Sequence, residues 1–233
     1  MRFGPRGLAL PPLIVTLLTA LSLSAQPLPQ TSSSSSKGTR RRDIPNSALE
    51  PGSVSNGAYR NKTLGVTLKI PDGWVLRTDE MNAPAQDTPP ASSGEPAASS
   101  AGAKVLLAAF SRPPEAKGDE VNASILIAAE SASAYPGLKE AVQYFDPLTE
   151  VAKAQGFAVD AEPYEIEIGA RVLVRSDFHK DVNTRVMRQS TLAMLSHGYA
   201  VSITVIAGTE DQVEELLDGL QFQGSPPATK SAK

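Results

Sequence analysis

The chain has 233 residues, of which 22 are Lys or Arg and 25 are Asp or Glu, giving a net charge of −3, and it contains no cysteine. This balance argues against a nucleic-acid-binding or polybasic membrane-surface protein, because both depend on an excess of positive charge. The lack of cysteine excludes disulfides, a cysteine nucleophile, thiolate metal ligands and a lipid-modified cysteine, so burial of apolar side chains must stabilise the fold.

The first 25 residues have the features of a secretory signal peptide. Arg2 and Arg6 precede a mostly apolar run from Leu8 to Leu23, and small residues follow it. A transmembrane anchor is the alternative, but the run is about 16 residues long and contains two prolines, whereas a spanning helix needs about 20. We therefore expect an exported protein, periplasmic or extracellular, with no stable membrane span after the signal is cleaved.

Three polar segments of low complexity divide the rest of the chain. Residues 26–57 contain a run of serines and few large apolar residues, which is typical of a disordered linker. Residues 224–233 are expected to form a disordered tail. Residues 82–103, rich in Pro, Ala and Ser, could separate two domains, but the roughly 25 residues before them are too few to bury a core. We therefore predict a single domain at 58–223 in which residues 82–103 form a surface loop.

Hydrophobic alternation predicts that most of this domain is β-strand. The clearest case is residues 64–70, where apolar side chains occupy every second position before turn residues at 71–73 and the only tryptophan, Trp74. Residues His197-Gly198 are a tight hairpin signal. Strands are predicted at 58–61, 64–70, 74–77, 104–111, 121–130, 157–168, 170–178, 184–196 and 199–206.

Two segments have the apolar spacing of helices. Residues 137–155 keep steps of three and four, but Asp146-Pro147 predicts a break, with Asp146 capping a second short helix. Thr209 to Gln212 is a capping box that opens a final helix. Consecutive strands, with helix in the middle and at the end, indicate an α+β domain with a mostly antiparallel sheet flanked by helices.

Four arginines are candidate ligand-binding residues. Arg171, Arg175, Arg185 and Arg188 lie on two strands that are predicted to pair. Depending on the register, some of them converge on one sheet face, where they could bind a carboxylate or phosphate. The alternative, which we favour, is a solvent-facing surface on which the arginines pair with neighbouring carboxylates.

A second candidate is a metal site. Asp177, His179 and Asp181 alternate, so an extended backbone would place all three on one face as oxygen and nitrogen ligands. The alternative is a polar hairpin turn between the strands at 170–178 and 184–196, and this is the preferred interpretation.

No residue pattern indicates a catalytic site or a cofactor. The second histidine, His197, precedes a glycine in a predicted turn, and no G-x-S-x-G motif accompanies either histidine. Trp74 could stack on a ligand, but a single tryptophan after a strand is more often a core residue. We expect neither a cofactor nor a nucleic-acid partner.

One stretch of the chain resembles a known family. Residues 59–61, 64–65 and 70–74 resemble the Y-x-N-x-x-L-G…P-x-G-W opening of bacterial exported proteins with the PsbP/Mog1-like fold. The end of the chain is similar too, with a hairpin, a helix and a final Leu220-Gln221-Phe222. The resemblance implies an α/β/α sandwich with an antiparallel sheet. Family members include a photosystem II accessory subunit, a Ran-binding nuclear-import factor and many uncharacterised bacterial envelope proteins, without shared catalytic residues.

These observations lead to three hypotheses in order of preference. The first is a non-catalytic exported domain that binds a partner protein or assists an envelope complex. The second is a small anionic-ligand-binding protein that uses the strand arginines. An enzyme, of the hydrolase type, comes third.

Overall fold

The computed structural model describes residues 49–83, 103–113, 115, 116, 118 and 120–223. The predicted signal peptide, the linker up to residue 48, residues 84–102 of the predicted loop and the tail at 224–233 lie outside these residues. No helix among the described residues is long and apolar enough to cross a membrane.

The larger of two antiparallel sheets has seven strands. They are β4 (Val75–Leu76), β5 (Lys104–Phe110), β6 (Ser124–Ser131), β7 (Ala158–Ile168), β8 (Arg171–Val182), β9 (Arg185–Ser196) and β10 (Tyr199–Ala207). Their order across the sheet is β4-β5-β6-β10-β9-β8-β7. Strands β7 to β10 follow one another as hairpins, and β10 then pairs with β6. Strands β4 and β7 are therefore the two edges.

The smaller sheet has four strands in the order β1-β2-β3-β11. They are β1 (Ser53–Ser55), β2 (Ala58–Asn61), β3 (Val66–Lys69) and β11 (Leu220–Phe222). Asn56 and Gly57, with φ of 50° and 66°, form the turn between β1 and β2. The predicted boundary of the linker at residue 57 is therefore wrong, because β1 and this turn lie within residues 26–57. Leu49 is buried in the core as well, at 4% exposure.

Three α-helices complete the described fold: α1 (Thr78–Asn82), α2 (Phe145–Ala154) and α3 (Glu210–Asp218). Two 3-10 helices, Ala132–Ala134 and Ala141–Tyr144, precede α2. The predicted division of the helical segment at Asp146-Pro147 is confirmed in part: a short α2 follows a 3-10 helix, but α2 begins at Phe145 and Asp146 does not cap it. Pro147 lies in the first turn of α2, where a residue without an N–H group breaks no helical hydrogen bond.

The end helix forms as its sequence predicts. The Thr209 hydroxyl oxygen accepts a hydrogen bond from the Gln212 backbone N–H at 3.2 Å. Val213, Leu216 and Leu217 then form the buried face of α3. The α3 cap is therefore a local feature that the sequence alone predicts.

The core lies on both faces of the seven-stranded sheet. On one face, Leu192 and Ile203 pack with Leu68 of the smaller sheet and Leu216 of α3. On the other face, side chains of α2 and of the 3-10 helix before it contact the sheet through two further clusters. The predicted α+β class with antiparallel pairing is confirmed, and the architecture consists of two antiparallel sheets with few helices.

Candidate functional site

The most distinctive surface of the described structure lies along the β7 edge of the seven-stranded sheet. Within the described residues, β7 pairs with β8 on one side and with no strand on the other. Its register with β8 is irregular between Val159 and Tyr164 and then regular to Ile168. We define the edge surface as Tyr164–Ile168 of β7 together with Glu140, Val142 and Val172.

The regular part of β7 has two chemically different faces, because successive residues of a strand point to opposite sides. Ile166 and Ile168 pack against the core between the two sheets. Glu165 and Glu167 therefore lie on the other face, where they are exposed and Glu167 is opposite Val172 of β8. One face of this edge is apolar and the other is acidic.

Apolar side chains are exposed beside these glutamates. Among the described residues, the exposed large hydrophobic side chains are Val54, Leu76, Val142, Tyr164 and Val172. Three of the five belong to the edge surface, with Val142 at 42%, Tyr164 at 40% and Val172 at 52% exposure. Single exposed apolar residues are ordinary, but a cluster of them is a feature of interaction sites.

A shallow cleft of about 400 Å³ runs between β7, β8 and the 3-10 helix Ala141–Tyr144. Val142, Val172 and the buried Val174 contribute apolar walls, whereas Glu140 and Glu165 are exposed at its rim. Among the described residues, none of those that line the cleft is basic. The cleft therefore combines apolar walls with negative charge.

Tyr164 also belongs to the lining of this cleft and is held in position there. Its hydroxyl donates a hydrogen bond to Asp177 Oδ2 at 2.8 Å, and Arg175 Nε donates to Asp177 Oδ1 at 2.9 Å. Burial, followed by the hydrogen bond to the Asp177 carboxylate, raises the pKa of Tyr164 to about 12. The exposed ring is thus fixed across the β7–β8 pair.

Three of the predicted ligand-binding arginines, Arg171, Arg175 and Arg188, share a sheet face, as the sequence allowed, but Arg175 and Arg188 have carboxylate partners. Arg175 pairs with Asp177 and with Glu214 of α3. Arg188 Nη1 lies 3.3 Å from Asp160 Oδ2, and its Nη2 lies 3.5 Å from a glutamate oxygen at the start of α3. These contacts favour the predicted alternative, in which the arginines pair with neighbouring carboxylates.

Arg171 and Arg185 have different surroundings. The Arg171 guanidinium is 5.6 Å from the centroid of the Phe222 ring. Arg185 lines a separate open cleft of about 910 Å³, together with Lys69 and Trp74. Trp74 also packs against the core, as its sequence context suggested. The structure therefore does not bring the four arginines together.

The predicted turn at 177–181 is wrong, because β8 continues to Val182. Asp177, His179 and Asp181 do alternate along this strand, but His179 Nδ1 contacts Asp160 of β7. In the described part of the chain, no group of three or more His, Asp or Glu side chains is arranged to hold a metal ion. The turn between β8 and β9 instead contains Asn183, with a φ of 57°.

The histidines and serines do not form an assembled triad in the described structure. His197 lies in the β9–β10 turn, as predicted, with a φ of 52°, and its Nδ1 is 2.9 Å from the hydroxyl of the adjacent Ser196. His179 contacts Asp160. The Ser190 hydroxyl of β9 is fully buried and has no hydrogen-bond partner among the described residues.

A buried acidic group joins the helical layer to the other face of the sheet. The Glu130 carboxylate accepts hydrogen bonds from the hydroxyls of Tyr144, at 2.9 Å, and Tyr135. The two rings meet edge to face with centroids 5.3 Å apart. Burial, with a further contribution from Glu130, raises the pKa of Tyr144 above its usual range. We assign this cluster a structural role, because it connects β6 with the segment leading into α2.

The edge surface was not recognised from the sequence, although one signal was available. The pattern Y-E-I-E-I at 164–168 follows Pro163, and proline and charge near alternating apolar residues are typical of edge strands. The exposure of Val142 and Val172 depends on tertiary packing, which local patterns do not show.

No family model matches the chain, and no curated protein matches it. Among solved structures, the chain is similar to PA94 from Pseudomonas aeruginosa, a protein of unknown function, with 17% identity and a TM-score of 0.31 over 43% of this chain and 68% of that one. It is also similar to LpqN, involved in cell envelope biogenesis of Mycobacterium tuberculosis, with 13% identity and a TM-score of 0.33 over 69% and 83%. These are distant similarities that assign no family, so the PsbP/Mog1-like resemblance stays a prediction.

Proposed function

We propose that this protein is an exported, non-catalytic domain that binds a partner protein of the cell envelope through the edge surface. The observation that carries the proposal is the gathering of three exposed apolar side chains around one unpaired strand edge. An edge strand offers backbone N–H and C=O groups to another chain. Burial of the apolar side chains would add favourable free energy to the association.

The charged groups next to the edge surface support a structural rather than a catalytic role. Asp160 of β7 contacts both His179 of β8 and Arg188 of β9, and Arg175 reaches Glu214 of α3. These contacts tie three strands and a helix together, so the edge strand is presented on a fixed support. The proposal that the protein is exported rests on the signal-like composition of residues 1–25.

Affinity capture with matched variants tests the proposal. The full-length chain is used to recover partners from envelope extract, in parallel with Val172→Lys and Leu76→Lys. Both substitutions replace an exposed aliphatic side chain with lysine, on β8 next to the β7 edge and on the opposite edge β4, respectively. We expect a partner that Val172→Lys loses and Leu76→Lys keeps. Equal recovery by both variants, or no recovered protein, would contradict the proposal.

A further inference from the structure

We infer that the partner contributes an extended segment that pairs with β7 as an added strand, in which apolar side chains alternate with Lys or Arg. This inference rests on the proposed function and specifies the partner chemistry of the same edge surface. It follows from the backbone position of β7, from the two faces of Tyr164–Ile168 and from the adjoining cleft.

Among the described residues, β7 pairs with a strand on one side only. Tyr164 to Ile168 pair in regular register with Arg175 to Arg171 of β8. In an antiparallel pair, the N–H and C=O groups that do not face the neighbouring strand point outward at alternate residues. On β7 this outer side has no strand partner within the described chain. An extended peptide can therefore continue the hydrogen-bonded sheet there.

The side chains of β7 specify the sequence of the added strand. Residues directly opposite each other on paired strands share a face and contact each other. Side chains opposite Glu165 and Glu167 meet negative charge, so Lys or Arg is favoured there. Side chains opposite Tyr164, Ile166 and Ile168 meet an aromatic or half-buried aliphatic surface. The matching segment is therefore apolar, basic, apolar, basic, apolar.

The cleft fits the basic side chains of such a segment. A lysine or arginine has an apolar stem and a charged end, and the stem packs on apolar surface while the charge stays near water. Val142 and Val172 provide that surface, and Glu140 and Glu165 lie at the rim. The cleft volume of about 400 Å³ leaves room for these side chains. The cleft thus offers an apolar surface for the stem of a basic side chain and negative charge for its charged end.

The same charges disfavour a second copy of this chain as the occupant. If β7 paired with β7 of another copy, antiparallel about Ile166, then Glu165 of each chain would lie opposite Glu167 of the other. Like charges directly opposite each other destabilise a strand pair. Glu165 and Glu167 of β7 therefore oppose self-association and favour pairing with a strand of opposite charge.

The test is selection of peptides from a random display library on the full-length chain, followed by binding measurements. We expect the selected peptides to carry the alternating apolar and basic pattern and to slow amide hydrogen exchange at 164–168. Glu165→Lys/Glu167→Lys should weaken binding about tenfold, because two facing charge pairs are reversed. Glu150→Lys/Glu215→Lys changes the net charge equally at exposed positions on α2 and α3, and it should bind within about twofold of the wild type.

Charge exchange separates a specific strand pair from general attraction. A peptide with glutamate in place of its basic residues should bind Glu165→Lys/Glu167→Lys better than the wild type. Selection of no peptide, selection of peptides without the alternating pattern, unchanged exchange at 164–168 or equal effects of the two double variants would each overturn the inference. Loss of the envelope partner in Val172→Lys would then still support the proposed function, so the two failures are distinguishable.

Discussion

The Tyr164 hydroxyl donates a hydrogen bond to Asp177 Oδ2 at 2.8 Å, across the pair formed by the edge strand and its neighbour. Arg175 occupies the other oxygen of the same carboxylate and also reaches α3. The exposed aromatic ring at the edge is therefore connected through two side chains to a helix of the core. A fixed surface of this kind loses less conformational entropy when a partner binds.

Burial of Tyr164, together with its hydrogen bond to Asp177, predicts sensitivity to alkaline pH. The pKa of Tyr164 is raised to about 12 in the folded protein, from about 10 in an unfolded chain. The neutral hydroxyl thus contributes stability that is fully present below about pH 10 and is lost as the pH rises towards about 12. Tyr164→Phe should therefore lose less stability than the wild type between about pH 9 and about pH 11.5, in urea titrations at both values. Equal losses would contradict the assignment.

The hydrogen bond between Tyr144 and Glu130 predicts a larger effect on stability, because it lies in the interior. Tyr144→Phe removes one of the two tyrosine hydroxyls that donate to the buried Glu130 carboxylate. The loss of a buried hydrogen bond to a charged group should lower the free energy of unfolding by about 1.5–3 kcal/mol. Urea unfolding measures this change. An unchanged urea midpoint would show that the hydrogen bond contributes nothing to stability.

Two fully buried serines predict effects of opposite sign. The Ser190 hydroxyl has no hydrogen-bond partner, whereas the Ser176 hydroxyl donates to the Ala161 carbonyl at 3.0 Å. Ser190→Ala removes an unsatisfied polar group and should raise the free energy of unfolding by about 1 kcal/mol, and Ser176→Ala should lower it by about 1 kcal/mol. Chemical denaturation compares the two variants. If both substitutions destabilised the protein to the same extent, the Ser190 hydroxyl would have a hydrogen-bond partner after all.

Substitutions in the turn between β1 and β2 test whether residues 53–61 form a folded hairpin. Gly57 has a φ of 66°, and a Cβ there would meet only the Ile70 carbonyl oxygen, at 3.8 Å. Gly57→Ala should therefore cost about 1 kcal/mol through backbone strain rather than through a clash. Asn56→Gly, at a φ of 50°, should be nearly neutral. Thermal unfolding distinguishes the two, and a neutral Gly57→Ala would argue against a folded hairpin at 53–61.

Much of the fold could be predicted from the sequence because its signals are local. Alternation predicted the long strands β7 to β10, His197-Gly198 predicted their last hairpin, and Thr209 predicted the start of α3. The Asn56-Gly57 pair is an equally strong hairpin signal, but the polar composition around it led to the prediction of a linker. The polar composition of this segment therefore led to a wrong prediction, whereas the Asn56-Gly57 pair indicates the turn that the structure contains.

The parts that could not be predicted depend on long-range packing. Apart from Asp177, the partners of Arg175 and Arg188 come from α3 and β7, so the packing of distant segments decides how these arginines are paired. The extension of β8 through His179 likewise depends on pairing with β7 and β9, because polar residues there resemble a turn. Exposure of Val142 and Val172 is set by where the 3-10 helix before α2 meets the sheet.

Site-specific cross-linking in envelope extract tests the central claim, partner binding at the edge surface, most directly. Because the chain has no cysteine, Glu162→Cys and Leu76→Cys each provide a single attachment point for a photoreactive group. The first lies on β7 beside the edge surface, and the second lies on the opposite edge of the sheet. We predict a cross-linked partner protein from position 162 and none from position 76. A cross-link within the same chain, or equal yields from both positions, would contradict the account.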